Sequence, residues 1–387
     1  MTDWIRRSTG KTMLLLGLTA AALAWPGAAV AQGLSVATAD AATDYAAAIN
    51  RAREIIGELL AGENIPGFSI AVGLNGEVLW SEGFGLANLE HRVPVTTLTK
   101  FRIGSVSKPV TAMAMGILMQ EGRLDLDEPV QTYVPSFPEK EYPITVRQLS
   151  GHIAGIRHYR ENENFSAHRY GTVEEGLEIF RDDPLLFEPG TEYSYSSYGW
   201  NLLSAVVEGA AGVRFLDFMR DRVFEPLEMR HSMAGHTDSI IAHRTAFYVR
   251  SQDDRRLINA PFVDNSYKWA SGGFLSTPED LIRFGSAHLE SGILDDSTLR
   301  IFFTSQKLNN GEETGYGIGW RIGVNGRGER IVSHTGGSVG GTTVLLVNRD
   351  RGLVVAAVAN ISSARMGPQL ATRIGELFLG QSSGGGP

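Results

Sequence analysis

The stretch "FRIGSVSKPVTAMAMGILMQEG", residues 101–122, places Ser105 three positions before Lys108 where an apolar helix begins. Pro109 fixes that start. Inside a helix a proline removes a backbone hydrogen bond and clashes with the preceding turn, at about 3 kcal/mol; in the first turn its missing N–H has no partner to lose. The helix is therefore expected to begin near Ser105, whose N–H joins the unpaired donors at the positive end of the helix dipole, suited to a developing oxyanion. Lys108, one turn on, falls on the same face as the Ser105 hydroxyl. A serine needs a base within hydrogen-bond distance, and a lysine serves when burial or another cation lowers its pKa. Met113, Met115, Ile117, Leu118 and Met119 supply apolar surroundings. Spacing alone decides nothing, because S-x-x-K recurs at Ser8–Lys11.

Two later stretches add chemistry. "PGTEYSYSSYGWNLL" (189–203) holds Tyr195 and Ser197, and "ERIVSHTGGSVGGTTV" (329–344) holds His334, Thr335, Gly336 and Gly337 at the end of an expected strand. Tyr195 suits a proton shuttle between Ser105 and a leaving group if Lys108 lowers its phenolic pKa. His334 offers positive charge or a donor. The Gly337 N–H completes an oxyanion hole with that of Ser105, since glycine lets a substrate approach the backbone closely.

The strand pattern lies at both ends of the chain. "FSIAVGLNGEVLWSEGFG" (68–85) has two β-rich runs joined at Asn75-Gly76, a strong hairpin signal. "YGIGWRIGVNGRGERIVSHTGG" (316–337) repeats the device at Asn325-Gly326, and "TTVLLVNRDRGLVVAAVAN" (342–360) turns at Asn348 to Gly352. Ala47, Ile49, Ala52, Ile55, Ile56 and Leu59 recur at helical spacing before Gly62 and Pro66, and a last helix is expected over about 369–379. Residues 105–310 read as mainly helical. One start there is clear: Thr277 as N-cap, Pro278 at the first helical position and Asp280 three residues after the cap. The expected fold is α/β (α+β). An antiparallel sheet built from both chain ends (about 45–104 and 311–380) is flanked by helices, with a mainly helical second lobe (about 105–310) inserted.

Composition bounds the rest. The 387 residues are 43% hydrophobic and 20% charged, ordinary for a globular chain. Residues 1–31 combine Arg6, Arg7 and Lys11 with an apolar run from Met13 to Trp25 and the small residues Ala29-Val30-Ala31, the pattern of a cleavable secretory signal peptide. The run is too short to span a bilayer. The expected location is periplasmic or secreted, with a hydrolase domain over 32–380 and a flexible tail over 381–387. Cysteine is absent, which excludes disulfides and thiolate catalysis. The formal charge is −8, without a basic run interleaved with aromatics, so nucleic acid is not an expected partner; a small-molecule or peptide substrate is.

Taken in order, S-x-x-K, Y-x-S and H-T-G resemble the serine β-lactamase and penicillin-binding-protein superfamily, in its class C branch of D-Ala-D-Ala peptidases and β-lactamase-like esterases. "FRIGSVSKPVTA", "ITVRQLSGHIAGIRHY", "PGTEYSYSSYGWNLL", "KWASGGFLSTPEDLIRFG" and "SHTGG" most resemble the mitochondrial serine β-lactamase-like group and its bacterial relatives, of peptidase family S12 type. The likeness runs from about residue 65 to 375. It implies Ser105 as acylated nucleophile, Lys108 and Tyr195 as general-base pair, His334 where many members carry Lys, and neither metal nor cofactor. Two departures matter. Ser197 stands where many class C β-lactamases have Asn, and lacks an NH2 group to donate to a substrate amide. A histidine is neutral or partly charged near pH 7, so it grips a substrate carboxylate less firmly than an ammonium.

The expected function is an exported serine hydrolase forming an acyl-enzyme on an amide, peptide or ester carbonyl. The alternatives are a true class C-like β-lactamase or D-Ala-D-Ala carboxypeptidase, or a penicillin-recognising binding protein without turnover. The G-x-S-x-G match at 336–340 is not an α/β-hydrolase elbow, because no histidine follows His334 and a strand-like run follows the serine. His152 and His158 are expected to be structural, with His158 and Tyr159 near the cleft.

Overall fold

The computed structural model describes residues 45–380; the expected signal peptide and tail fall outside them. The hairpin at Asn75-Gly76 sets the sheet. Both residues take positive φ (50° and 87°), as a two-residue turn matched to strand twist requires. They join β1 (Gly67–Leu74) to β2 (Glu77–Asn88), which is followed by the short strands β3 (Val93–Pro94) and β4 (Phe101–Arg102). Strands β5 (Met233–Ala234), β6 (Tyr248–Arg250), β7 (Leu257–Asn259) and β8 (Phe274–Ser276) precede β9 (Arg321–Val324), β10 (Arg330–Ser338), β11 (Gly341–Asn348) and β12 (Leu353–Ala359). Seven of these form one antiparallel sheet in the order β3-β2-β1-β12-β11-β10-β9, so the two chain ends meet at β1–β12, with Phe68 opposite Ala359 and Leu74 opposite Leu353.

Both faces of this sheet are covered, and the period of two shows it. Leu353, Val355, Ala357 and Ala359 of β12 point into one core with Phe68, Ile70 and Val72 of β1; Val354, Ala356 and Val358 point into the other. Helices α1 (Ala46–Glu63) and α5 (Pro368–Leu379) close the first face through Ile49, Ile56, Ile374 and Phe378. On the opposite face α4 (Pro278–Ser286) supplies Leu281, Ile282 and Phe284, joined by α2 (Ser107–Gln120) and α3 (Ser197–Ala211). Thr277 caps α4 by accepting the Asp280 N–H, with Pro278 at its first position. In α1, Ala48 is buried and Ala47 exposed, a shift of one position within the expected face.

Two expectations need correction. Residues 101–276 are less helical than the pattern suggested: β4, β8 and β5 form a three-stranded sheet and β6–β7 a hairpin. These strands are two or three residues long, too short for a period to register. Secondly, Asn325-Gly326 is not a two-residue turn; five residues separate β9 from β10, Gly328 rather than Gly326 has positive φ, and the Asn325 side chain accepts the N–H groups of Arg327 and Glu329. The helical path does begin near Ser105, as expected: one tight turn, Gly104–Val106, runs into α2 and leaves Pro109 in the first α-helical turn.

That turn packs on β10. Gly104 has φ +51°, and a Cβ there would lie 2.6 Å from the Gly337 carbonyl oxygen; one on Gly336 would collide with the Ile103 carbonyl. Only glycine lets these backbones approach so closely.

Candidate active site

The tight turn and α2 bring Ser105 and Lys108 together. Lys108 is fully buried, and its Nζ lies 3.2 Å from Ser105 Oγ, 3.1 Å from Ser197 Oγ and 2.9 Å from the Ser271 carbonyl oxygen. Ser197 opens α3, and Ser271 belongs to a wide turn, Trp269–Gly273. Burial, then the charges of Lys268 and Arg321, hold the Lys108 amine well below its usual pKa. A neutral amine has two N–H donors and one lone pair. The Ser271 carbonyl must take one N–H; Ser197 can take the second, leaving the lone pair for the Ser105 hydroxyl.

Tyr195 packs over this amine, with Lys108 Nζ 4.8 Å from its ring centroid and its hydroxyl near that of Ser105. The expected lowering of its pKa is reversed. Burial pushes the phenol well above its usual value, outweighing the neighbouring Ser105 hydroxyl and Arg321. Tyr195 is thus a neutral O–H donor. Behind it stands His152, buried and in a left-handed conformation (φ 63°), its ring 4.2 Å from the Tyr195 ring and its Nδ1 accepting the Ser196 N–H at 3.1 Å.

His334 departs furthest from expectation. It is 1% exposed; Nδ1 donates to the Thr335 carbonyl (2.8 Å), so Nε2 accepts from the Tyr316 hydroxyl (2.9 Å). Burial, and secondarily Lys108, bring its pKa down to about 3, so it supplies no positive charge near neutral pH. His334, Thr335 and Gly336 do not line the cavity in front of Ser105. Gly337 does, beside Ser105, Tyr195 and Ser197, in a space of about 730 Å³.

On the opposite wall stand His158, whose Nδ1 accepts the Ser197 N–H at 3.1 Å, and Tyr159, both expected near the cleft, together with Ser271 and Lys268, which the sequence reading missed. "KWASGG" (268–273) carries two of these residues, but neither a period nor a charge pattern marks them. Among the described residues, no cluster of His, Cys, Asp or Glu is arranged to hold a metal, and no helix is long and apolar enough to cross a membrane.

Known proteins resemble this chain in sequence and in fold. The mitochondrial serine β-lactamase-like protein LACTB of Homo sapiens is 32% identical over 426 residues, spanning 82% of this chain and 78% of its own. The octameric penicillin-binding protein homologue from Pyrococcus abyssi superposes with a TM-score of 0.73 at 29% identity, over 86% of this chain and 77% of its own. A D-stereospecific amidohydrolase from Streptomyces sp. shares the fold at TM-score 0.70 and 24% identity, covering 87% of this chain and 99% of its own. The Beta-lactamase family model itself matches residues 52–377, from within α1 to within α5 and across every strand of the large sheet. The chain therefore belongs to the Beta-lactamase family, within the serine β-lactamase and penicillin-binding-protein hydrolase superfamily.

Proposed function

We propose that the protein is an exported, class C-like serine hydrolase that acylates Ser105 from an amide, peptide or ester carbonyl. The observation that carries this reading is the Lys108 amine, fully buried with no acidic partner and within 3.2 Å of Ser105 Oγ. In the proposed reaction Lys108 takes the Ser105 proton as Oγ attacks the carbonyl, and the N–H groups of Ser105 and Gly337 hold the oxyanion. The proton then passes through the Tyr195 hydroxyl to the leaving group, and water, activated by the same base, clears the acyl-enzyme. Ser197 keeps the amine oriented toward Ser105. His334 acts from the core, fixing β10 through Tyr316 and Thr335 rather than touching substrate.

Neutral Lys108 is central, so the test is steady-state hydrolysis of an activated acetate ester, a penicillin and a D-Ala-D-Ala peptide by wild type, Ser105→Ala and Lys108→Met. The reading requires turnover of at least one substrate, falling about 10³-fold or more in both variants. Turnover that survives Ser105→Ala would refute it.

A further inference from the structure

The cavity in front of Ser105 has three basic residues in its wall, Arg250, Arg255 and Lys268, and no Asp or Glu among its described lining. Over the whole chain acids outnumber bases, 43 to 35, so this local balance runs against the composition. One of the three is otherwise engaged and a second faces solvent. Arg250 donates to the backbone carbonyls of Ser362 and Glu63 and pairs with the Glu63 carboxylate, and Arg255 lies exposed.

Lys268 is different. It is 5% exposed, and among the described residues it forms no ion pair. Its Nζ donates to the Asn164 carbonyl at 3.3 Å and sits 5.4 Å and 5.0 Å from the ring centroids of Tyr159 and Tyr267. One long hydrogen bond leaves two of the three donors of the protonated amine without a protein acceptor, and burial, then the Arg102 charge, brings its pKa down to about 7, as the cost of an uncompensated charge requires. Aromatic faces stabilise the cation but accept no strong hydrogen bond. Meanwhile His334, neutral and turned into the core, adds no charge at the H-T-G strand end, where the exposed Arg321 on the neighbouring strand is the nearest cation, 5.9 Å from the Tyr195 ring.

We propose that Lys268 seats a carboxylate of the substrate, making the cleft selective for acyl compounds that carry a negative group. The anion subsite then lies on the wall formed by Tyr159, Asn164 and Lys268, instead of at the end of β10. The inference rests on the hydrolase reading for its meaning, but its test is an equilibrium one that needs no turnover.

The experiment is calorimetric titration of dicarboxylates from succinate to suberate, each against the matching neutral diamide, on wild type, Ser105→Ala, Lys268→Met and Lys268→Arg. At least one dicarboxylate is expected to bind wild type and Ser105→Ala about tenfold or more tightly than its diamide. Lys268→Met should abolish that preference while leaving the weak diamide affinity unchanged, and Lys268→Arg should retain it. Thermal melting confirms that each variant is folded, and the arginine variant keeps the test valid if the methionine variant is not. Equal affinity for both members of every pair in wild type, or a preference that persists in Lys268→Met, overturns the proposal. Failure of the hydrolase reading shows separately, as the absence of a Ser105 mass adduct with a fluorophosphonate.

Discussion

Tyr316 and His334 meet at 2.9 Å inside the core, the phenol donating to an imidazole whose other nitrogen is committed to the Thr335 carbonyl. Both nitrogens are thus satisfied by a neutral ring, the state that burial favours. Restoring the family's usual residue by His334→Lys would place an amine near Lys108 with no acid to pair it. The substitution should lower unfolding free energy by about 2–4 kcal/mol, read from urea denaturation at pH 7. A variant as stable as wild type would show that the site accepts a charge.

Buried neutral histidines also set the acid limit. Burial is the first cause of lowering at all three: His152 lies well below its usual pKa, His288 falls to about 4 and His334 to about 3. An unfolded histidine binds its proton near pH 6.5, so below that value the unfolded state takes up more protons and stability falls with pH until about 3. Each fully buried group contributes up to about 1.4 kcal/mol per pH unit across that window. The urea midpoint is expected to drop steeply between pH 6.5 and 4, less so in His288→Asn. A flat midpoint over that range would contradict the assignment.

Gly104 and Gly336 carry the contact between the nucleophile turn and β10. Gly104→Ala adds a Cβ at φ +51°, 2.6 Å from the Gly337 carbonyl oxygen, so the two proposed oxyanion donors must shift apart. Loss of one such donor costs about 10²–10³-fold in other hydrolases, and a fall of that order in the acylation rate, larger than the fall in substrate affinity, is expected here. Stopped-flow kinetics with an activated ester would measure it.

How far the sequence revealed this arrangement differs by residue. Asn75-Gly76 was readable because a turn with two positive φ values restricts residue type, and Thr277-Pro278 because cap chemistry is local. Ser105 and Lys108 were readable because Pro109 fixes the helix start. The burial of His334 was not, since it depends on Tyr316, eighteen positions away, and on a Tyr195 ring brought from another element. The raised pKa of Tyr195 and the position of Lys268 were hidden likewise, because burial is a property of packing and leaves no local pattern. Strands of two or three residues draw their conformation from distant partners: Phe101 of β4 pairs with Ser276 of β8, and Met233 of β5 with Leu275.

Arg157 braces the cleft wall that precedes Tyr159. It is 5% exposed, forms a two-pronged pair with Glu163 at 2.7 and 3.0 Å, and also pairs with Asp183. Removing one member of such a network strands the others, so Arg157→Met should cost about 3–5 kcal/mol in stability. Because Glu163 adjoins Asn164, KM should rise more than kcat falls. Unchanged thermal melting would argue against a bracing role.

The central claim, that Ser105 is the nucleophile activated by Lys108, is tested most directly by intact-mass spectrometry over time. Wild type, Ser105→Ala and Lys108→Met would each be mixed with an activated acetate ester and, separately, with a penicillin. The account predicts a mass increase equal to one acyl group or one penicillin on wild type, none on Ser105→Ala, and a far slower gain on Lys108→Met. Equal labelling of wild type and Ser105→Ala, or no labelling of wild type by either reagent, would contradict it.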